Sequence, residues 1–161
     1  MLRLIPKPLH RAIMPLAHRA RHVVRRLRKK PIAGCSVVIT DLQGAILLLQ
    51  TSYGPRVWTL PGGGIGRGET PEQAARREVQ EEVGIALRNI TALGVIEEEI
   101  SGSPHTAHLF CATADVRPVA DQREIVEARF FPPHSLPEPL GHLTRSRLAL
   151  YRERRREIRG T

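Results

Sequence analysis

The apolar positions of this chain change period along its length. From His10 onward, Ile13, Leu16, Ala17, Ala20, Val23, Val24 and Leu27 recur every three or four residues, the spacing of one helical face, with arginines opposite. Pro6, Pro8 and Pro15 interrupt this segment. Beyond Pro31 the pattern is that of strands. Residues 33–40 and 44–50 are apolar, β-branched runs separated by Asp41-Leu42-Gln43, a hairpin-like arrangement. Residues 57–60 predict a short third strand ahead of a glycine-rich loop. Runs over 90–100 and 105–114 predict an antiparallel pair around Ser101-Gly102-Ser103-Pro104, and 126–131 predicts a last strand. Helical spacing returns at 71–83 and at about 143–157, where Leu148 and Tyr151 turn to the core and arginines to water. Strands, a helix, more strands and a terminal helix predict one α+β domain with a mixed sheet over 32–161, preceded by a basic helical arm over 1–31.

Length and composition narrow the class without changing this picture. A chain of 161 residues, 41% hydrophobic and 25% charged, suits a single globular domain and is unlike disordered, collagen-like or coiled-coil chains. The best uncharged apolar run, 45–49, is far too short to span a bilayer, so no integral membrane segment is expected. Cys35 and Cys111 each sit alone in an apolar run. That disfavours a disulfide scaffold or a cysteine zinc site, and both are read as buried thiols in a reducing, cytoplasmic setting.

Charge divides the chain more sharply. The formal total is +9, yet residues 1–40 carry ten Lys and Arg and no acid, 41–144 carry eight against fourteen Asp and Glu, and 145–161 carry seven against two. An acidic middle therefore lies between two basic ends. Three readings of the arm stand open: its apolar stripe packs on its own domain or a second subunit, its basic face meets anionic lipid or nucleic acid, or it is a cleavable targeting segment.

The chemistry concentrates between Trp58 and Ile85. Five glycines within 62–68 allow close approach of backbone to a ligand, but no Gly-Lys-Ser/Thr follows and there is no G-x-G-x-x-G spacing, so the loop is not a P-loop or dinucleotide fingerprint. Thr70 then reads as a helix N-cap, Pro71 as the first helical position, Gln73 as the capping-box partner and Gly84 as the stop. Along that helix Ala75, Val79 and Val83 share an apolar arc, and Glu78, Glu81 and Glu82 crowd the arc beside it. Like charges at such spacings destabilise a helix by about 0.2–0.5 kcal/mol per pair. Arg77 can neutralise one of them. A hard divalent cation with oxygen ligands would compensate the rest, the competing reading being a solvated acidic face.

Gly63, five residues, Glu69, seven residues, Arg77-Glu78-Val79, Gln80, Glu81-Glu82, Val83 and Gly84-Ile85 together resemble the full 23-residue signature of the Nudix hydrolases, and Pro61-Gly62 just upstream is also similar to that family. The resemblance implies an α/β/α sandwich over about 32–160. It implies hydrolysis of a nucleoside diphosphate linked to another moiety, with Mg²⁺ or Mn²⁺. It implies that Glu78, Glu81 and Glu82 hold the metal, with the Gly62 carbonyl as a further ligand, while Gly63, Glu69, Arg77 and Gly84 support the loop and helix. Many members add a glutamate before the last strand. Here the match is Glu124, six residues before Phe130, as a fourth ligand or base, with Glu127 as the fallback. Glu78, Glu81 and Glu124 are thus the catalytic candidates.

Arg56 and Trp58, with Tyr53, are the candidate substrate contacts, core packing being the competing reading for Trp58. Glu97, Glu98 and Glu99 read as a solvated strand edge, and His105 and His108 as strand alternation. At the positions where family subgroups carry a diagnostic proline or tyrosine this chain has Ile100, Ser101 and Gly102, so the resemblance names no substrate. Family members are often dimers, which makes a homodimer an expectation. Two alternatives accompany the small-nucleotide reading: an RNA 5′-end pyrophosphohydrolase that uses the basic ends to hold phosphates, and a nucleotide-sensing module without catalysis.

Overall fold

The computed structural model describes residues 32–100 and 102–159. The amphipathic arm read over 1–31 lies outside them. The elements are β1 (Ile32–Thr40), β2 (Ile46–Thr51), β3 (Trp58–Thr59), α1 (Pro71–Val83), β4 (Thr91–Ile100), β5 (Ser103–Thr113), β6 (Ile125–Phe131) and α2 (His142–Arg159). Every strand and helix read from the pattern over these residues is present. The second hairpin is tighter than its turn residues suggest, because Ser103 already pairs with Ile100.

The six strands form one mixed sheet in the order β3-β2-β1-β5-β4, with β6 on β2. Parallel pairing of β1 with β5, from Ile32 opposite His105 to Thr40 opposite Thr113, places β1 at the centre. A central strand is covered on both faces and so reads as a continuous apolar run. Its alternation divides the core. Cys35, Val37 and Ile39 join Ala74, Ala75, Val79 and Val83 of α1, whereas Val38 joins Leu48, Trp58, Leu109 and the α2 residues Leu148 and Tyr151. One helix therefore lies on each face, the three-layer arrangement expected. The first hairpin closes through Asp41, whose carboxylate accepts from the amides of Gln43 and Ala45 at 3.0 and 2.8 Å.

Two expectations need correction. Cys35 is buried, but Cys111 is only partly so, at the edge of the core under α2 with Arg155 near it. The acidic run on β4 is not uniformly solvated. Strand alternation leaves Glu97 and Glu99 exposed and turns Glu98 inward, where its side chain is 11% exposed against Arg147 and His105. No described helix is long and apolar enough to cross a membrane.

Candidate active site

The glycine-rich loop is pinned to the sheet by a strand-like ladder. Cys35 N–H donates to the Gly63 carbonyl, Val37 N–H to that of Pro61, and Ile65 N–H to that of Ala33, at 2.9, 2.9 and 3.3 Å. This leaves no room for side chains at two positions. At Gly62, with φ of 144°, a Cβ would lie 2.2 Å from the Cys35 carbonyl oxygen, and at Gly63 it would lie 2.5 Å from the Glu78 carboxylate. The loop's glycines thus let backbone touch both the strand beneath and the helix beside it.

Helix α1 starts at the Thr70 capping box, with Gln73 N–H donating to the Thr70 hydroxyl and Thr70 N–H to the Gln73 side chain, and stops at Gly84 in the left-handed region. Its apolar arc, buried on the sheet, fixes the rotation of the helix and so directs the neighbouring carboxylates at the loop. Glu82 accepts from Gly62 N–H at 3.0 Å, and Glu78 lies against Gly63. Glu81, one helical step away, is exposed.

Arg77 organises the other side. Its guanidinium grips Glu69 through two hydrogen bonds of 2.8 and 2.9 Å, donates to the Gly64 carbonyl at 3.0 Å, and reaches Glu78 at 2.8 Å and Glu81 at 3.5 Å. Hydrogen bonding to Arg77, and then to Gly66 N–H, holds the Glu69 carboxyl down to about 2. Loop and helix are therefore clamped by one charged side chain.

The fourth carboxylate comes from the segment before β6. Val119 N–H and Asp121 N–H donate to the last carbonyls of α1, those of Val83 and Glu82, at 2.9 and 3.0 Å. The Asp121 carboxylate then accepts from the amides of Arg123, Glu124 and Ile125, and Gln122 takes a φ of 61° to complete the turn. Tyr53 OH donates to Glu124 Oε2 at 3.4 Å. Asp121 is not among the candidates read from the sequence, although an Asp two to four residues ahead of an amide run is a recognisable capping signal. Asp121→Ala should lower turnover about tenfold by releasing Glu124, with a stability loss of about 1 kcal/mol from the lost capping bonds; unchanged kcat would show that Glu124 is placed by other means.

Electrostatics fit the chemistry of a cation site. Burial raises the Glu78 carboxyl, Arg77 opposes the shift, and Glu81 and Glu124 add to it. Burial also pushes Glu82 well above the usual carboxylate range, with Gly62 N–H opposing and Glu78, Glu124 and Asp121 adding repulsion. Among the described residues no three such side chains converge on a single point. The donor set is nonetheless all oxygen, mutually repelling and short of counter-charge, which matches what a hard divalent cation requires.

The other candidates fall elsewhere. Trp58 is 7% exposed, packs edge-on against Phe131 with centroids 4.8 Å apart, and belongs to the core under α2, on the sheet face away from α1. That is its packing reading. Arg56 is exposed, and Glu127 lies on β6 opposite Gln50 with Arg129 at 3.5 Å. His108 stands midway along β5, opposite Cys35 and Val95, while His105 is buried on the α2 side.

A NUDIX domain family model matches residues 30–151. Among solved structures, a MutT NUDIX hydrolase from Burkholderia pseudomallei is 33% identical, with 74% of this chain and 97% of that one superposed at a TM-score of 0.68. The NUDIX domain of Shewanella oneidensis NrtR, crystallised with ADP ribose, shares the fold at 19% identity and a TM-score of 0.70 over 84% of this chain and 97% of its own. An RNA pyrophosphohydrolase of Saccharophagus degradans is 39% identical over 61 residues, 38% of this chain, and one of Yersinia enterocolitica is 46% identical over 57 residues, 35% of this chain. The match spans 36% and 32% of those two proteins, about a third of each. With the family match covering most of its length and the sheet, loop and helix arranged as above, this chain belongs to the Nudix family.

Proposed function

We propose that this protein hydrolyses a diphosphate bond in a nucleoside diphosphate linked to another moiety, using Mg²⁺ or Mn²⁺. The observation that carries this reading is the placement of Glu78 and Glu82, from one helix, against the Gly62-Gly63 backbone, with Glu124 of a remote loop near enough to repel both carboxylates. Glu78, Glu81, Glu82 and Glu124, with the Gly62 carbonyl, supply the oxygen atoms that would hold the cation. When bound, such a cation neutralises the diphosphate oxygens and lowers the pKa of an attacking water.

The chain's own residues supply the rest. Arg77 and Glu69 lock the loop so that the Gly62 and Gly63 backbone stays in register with α1. Burial raises the proton affinity of Glu78 and Glu82, and the charge of a bound cation would favour their ionised forms. Tyr53 OH donates to Glu124 Oε2 at 3.4 Å, and Glu124 is the carboxylate that would accept a proton from water. Substrate contact by Arg56 and dimer formation belong to the same proposal.

A screen of nucleoside diphosphate derivatives with Mg²⁺ or Mn²⁺ tests it. Cation-dependent release of a nucleoside monophosphate, removed by EDTA, is expected. Nucleotide binding without turnover across the panel would replace this reading with the sensing module.

The curated relatives named RNA pyrophosphohydrolases favour a second reading, attack on a 5′ polyphosphate RNA end. Against it, the exposed arginines Arg152, Arg154 and Arg156 lie on α2, across the sheet from the carboxylates. Deleting residues 1–30 and assaying triphosphorylated RNA beside mononucleotides separates the two. Loss of the RNA activity alone would support the second.

A further inference from the structure

A second charged cluster lies across the sheet from the carboxylates. Glu98 Oε1 accepts from His105 Nδ1 at 2.8 Å and from Arg147 Nη2 at 2.5 Å, and Arg147 Nη1 donates to the Ser36 hydroxyl at 2.9 Å. The three charged or titratable side chains are only 10–13% exposed. They join β4, β5, β1 and α2. As a device for stability the cluster is poor. Arg147 Nε is buried without a hydrogen-bond partner among the described residues, and an unmet buried donor costs about 1–3 kcal/mol. An apolar pair would hold α2 to the sheet as well as a buried ion pair does.

Where the cluster ends explains it better. A Cβ on Gly34 would lie 2.9 Å from His105 Nε2 and 3.0 Å from the Gly63 carbonyl oxygen. The imidazole and the loop carbonyl thus share the space that the missing Gly34 side chain leaves. A Cβ on Gly63 would in turn lie 2.5 Å from the Glu78 carboxylate. Between the buried imidazole and a candidate metal ligand stand two glycines, with no side chain to absorb a displacement.

We infer that Glu98 is a positioning residue for the candidate metal site: by holding the His105 ring at Nδ1, with Nε2 toward Gly34, it backs the loop at Gly63 and so sets where Glu78 stands. The inference rests on the proposed hydrolytic reading. Supporting groups of this kind typically change metal affinity or activity by about 10–100-fold when removed, and a site must be held within about 0.5 Å to work.

The test uses the full chain. Glu98→Gln keeps shape but removes the charge that orients both partners. The dissociation constant for Mn²⁺ without substrate, read from the EPR signal of free Mn²⁺, is expected to rise about tenfold. Turnover should fall by a similar factor, with KM for the nucleotide within about twofold. Ser36→Ala, which loosens only the Arg147 anchor, should lower the melting temperature and leave Mn²⁺ affinity unchanged. If Glu98→Gln does not fold, His105→Ala, which leaves the Glu98–Arg147 pair intact, gives the same readout. Wild-type Mn²⁺ affinity in whichever variant folds overturns the inference. Glu82→Gln separates this from the parent reading: if it too retains full cation-dependent turnover, the assignment of the cation site to these carboxylates has failed, and if the wild type shows no cation-dependent turnover, the hydrolytic reading has.

Discussion

Glu82→Gln should remove cation-dependent hydrolysis, by at least about 10²-fold, the scale of losing one charge-stabilising group in an active site, while making the cation-free protein more stable. The two effects have one cause. The Glu82 carboxyl is pushed well above the usual range because it is buried and faces Glu78, Glu124 and Asp121. A folded-state pKa above the unfolded value means that its stabilising contribution is full below the unfolded carboxylate pKa of about 4.5. It is lost as pH rises through the folded value. Glutamine has the same shape, can still accept from Gly62 N–H, and never ionises. Thermal melts in EDTA should therefore show the wild type losing stability as pH rises from about 4.5, and the variant losing less. Adding Mg²⁺ should reverse the order, stabilising the wild type more at about pH 8 than at about pH 5 and leaving the variant almost unmoved. Equal slopes against pH would show that Glu82 is not the strained carboxyl.

The largest stability loss is expected from Gly62→Ala. Its Cβ would meet the Cys35 carbonyl oxygen at 2.2 Å and Ser36 Cα at 2.8 Å, in a region of φ that alanine rarely adopts. Overpacking and backbone strain each cost about 1–3 kcal/mol, so the loop should peel from β1 at a loss of about 3 kcal/mol in chemical denaturation. Two residues on, Gly64 has no positive φ, and the place a methyl group would take there has nothing within 4 Å. Gly64→Ala should change stability by less than about 0.5 kcal/mol. A comparable loss at both positions would mean that general loop flexibility, not contact with the strand, is what the glycines provide.

The contrast between those two glycines also shows what the sequence can reveal. Five glycines within seven positions look alike on paper. Which of them meets a strand carbonyl and which faces open space depends on how the loop is laid along β1, a tertiary fact. Elements with a local cause are legible: Thr70, Gln73 and Gly84 mark α1 because caps act over neighbouring residues, and Val37 to Ile39 read as strand because a buried central strand is apolar throughout. Glu78 and Glu82 are legible through their spacing and through family resemblance. Glu98 is not, since Glu97-Glu98-Glu99 gives no hint that Arg147, 49 residues away, turns the middle one inward. Asp121 escapes notice for a different reason. Its capping role is local, but it matters only because Glu124 faces a helix that lies far earlier in the chain.

Arg77 bears on how the protein meets a cation at all. One nitrogen, Nη1, lies 2.8 Å from Glu78 and 3.5 Å from Glu81, so the chain carries its own counterion within the acidic cluster. Folding then does not have to wait for metal, and a bound ion would compete with the guanidinium for the same oxygens. Loading of a cation at this site would be an exchange of partners, in which Arg77 would keep Glu69 and the Gly64 carbonyl on yielding Glu78. The affinity of such a site would be set by that difference between two cations and not by the attraction of bare carboxylates, which would keep the ion exchangeable while the scaffold around it stays whole.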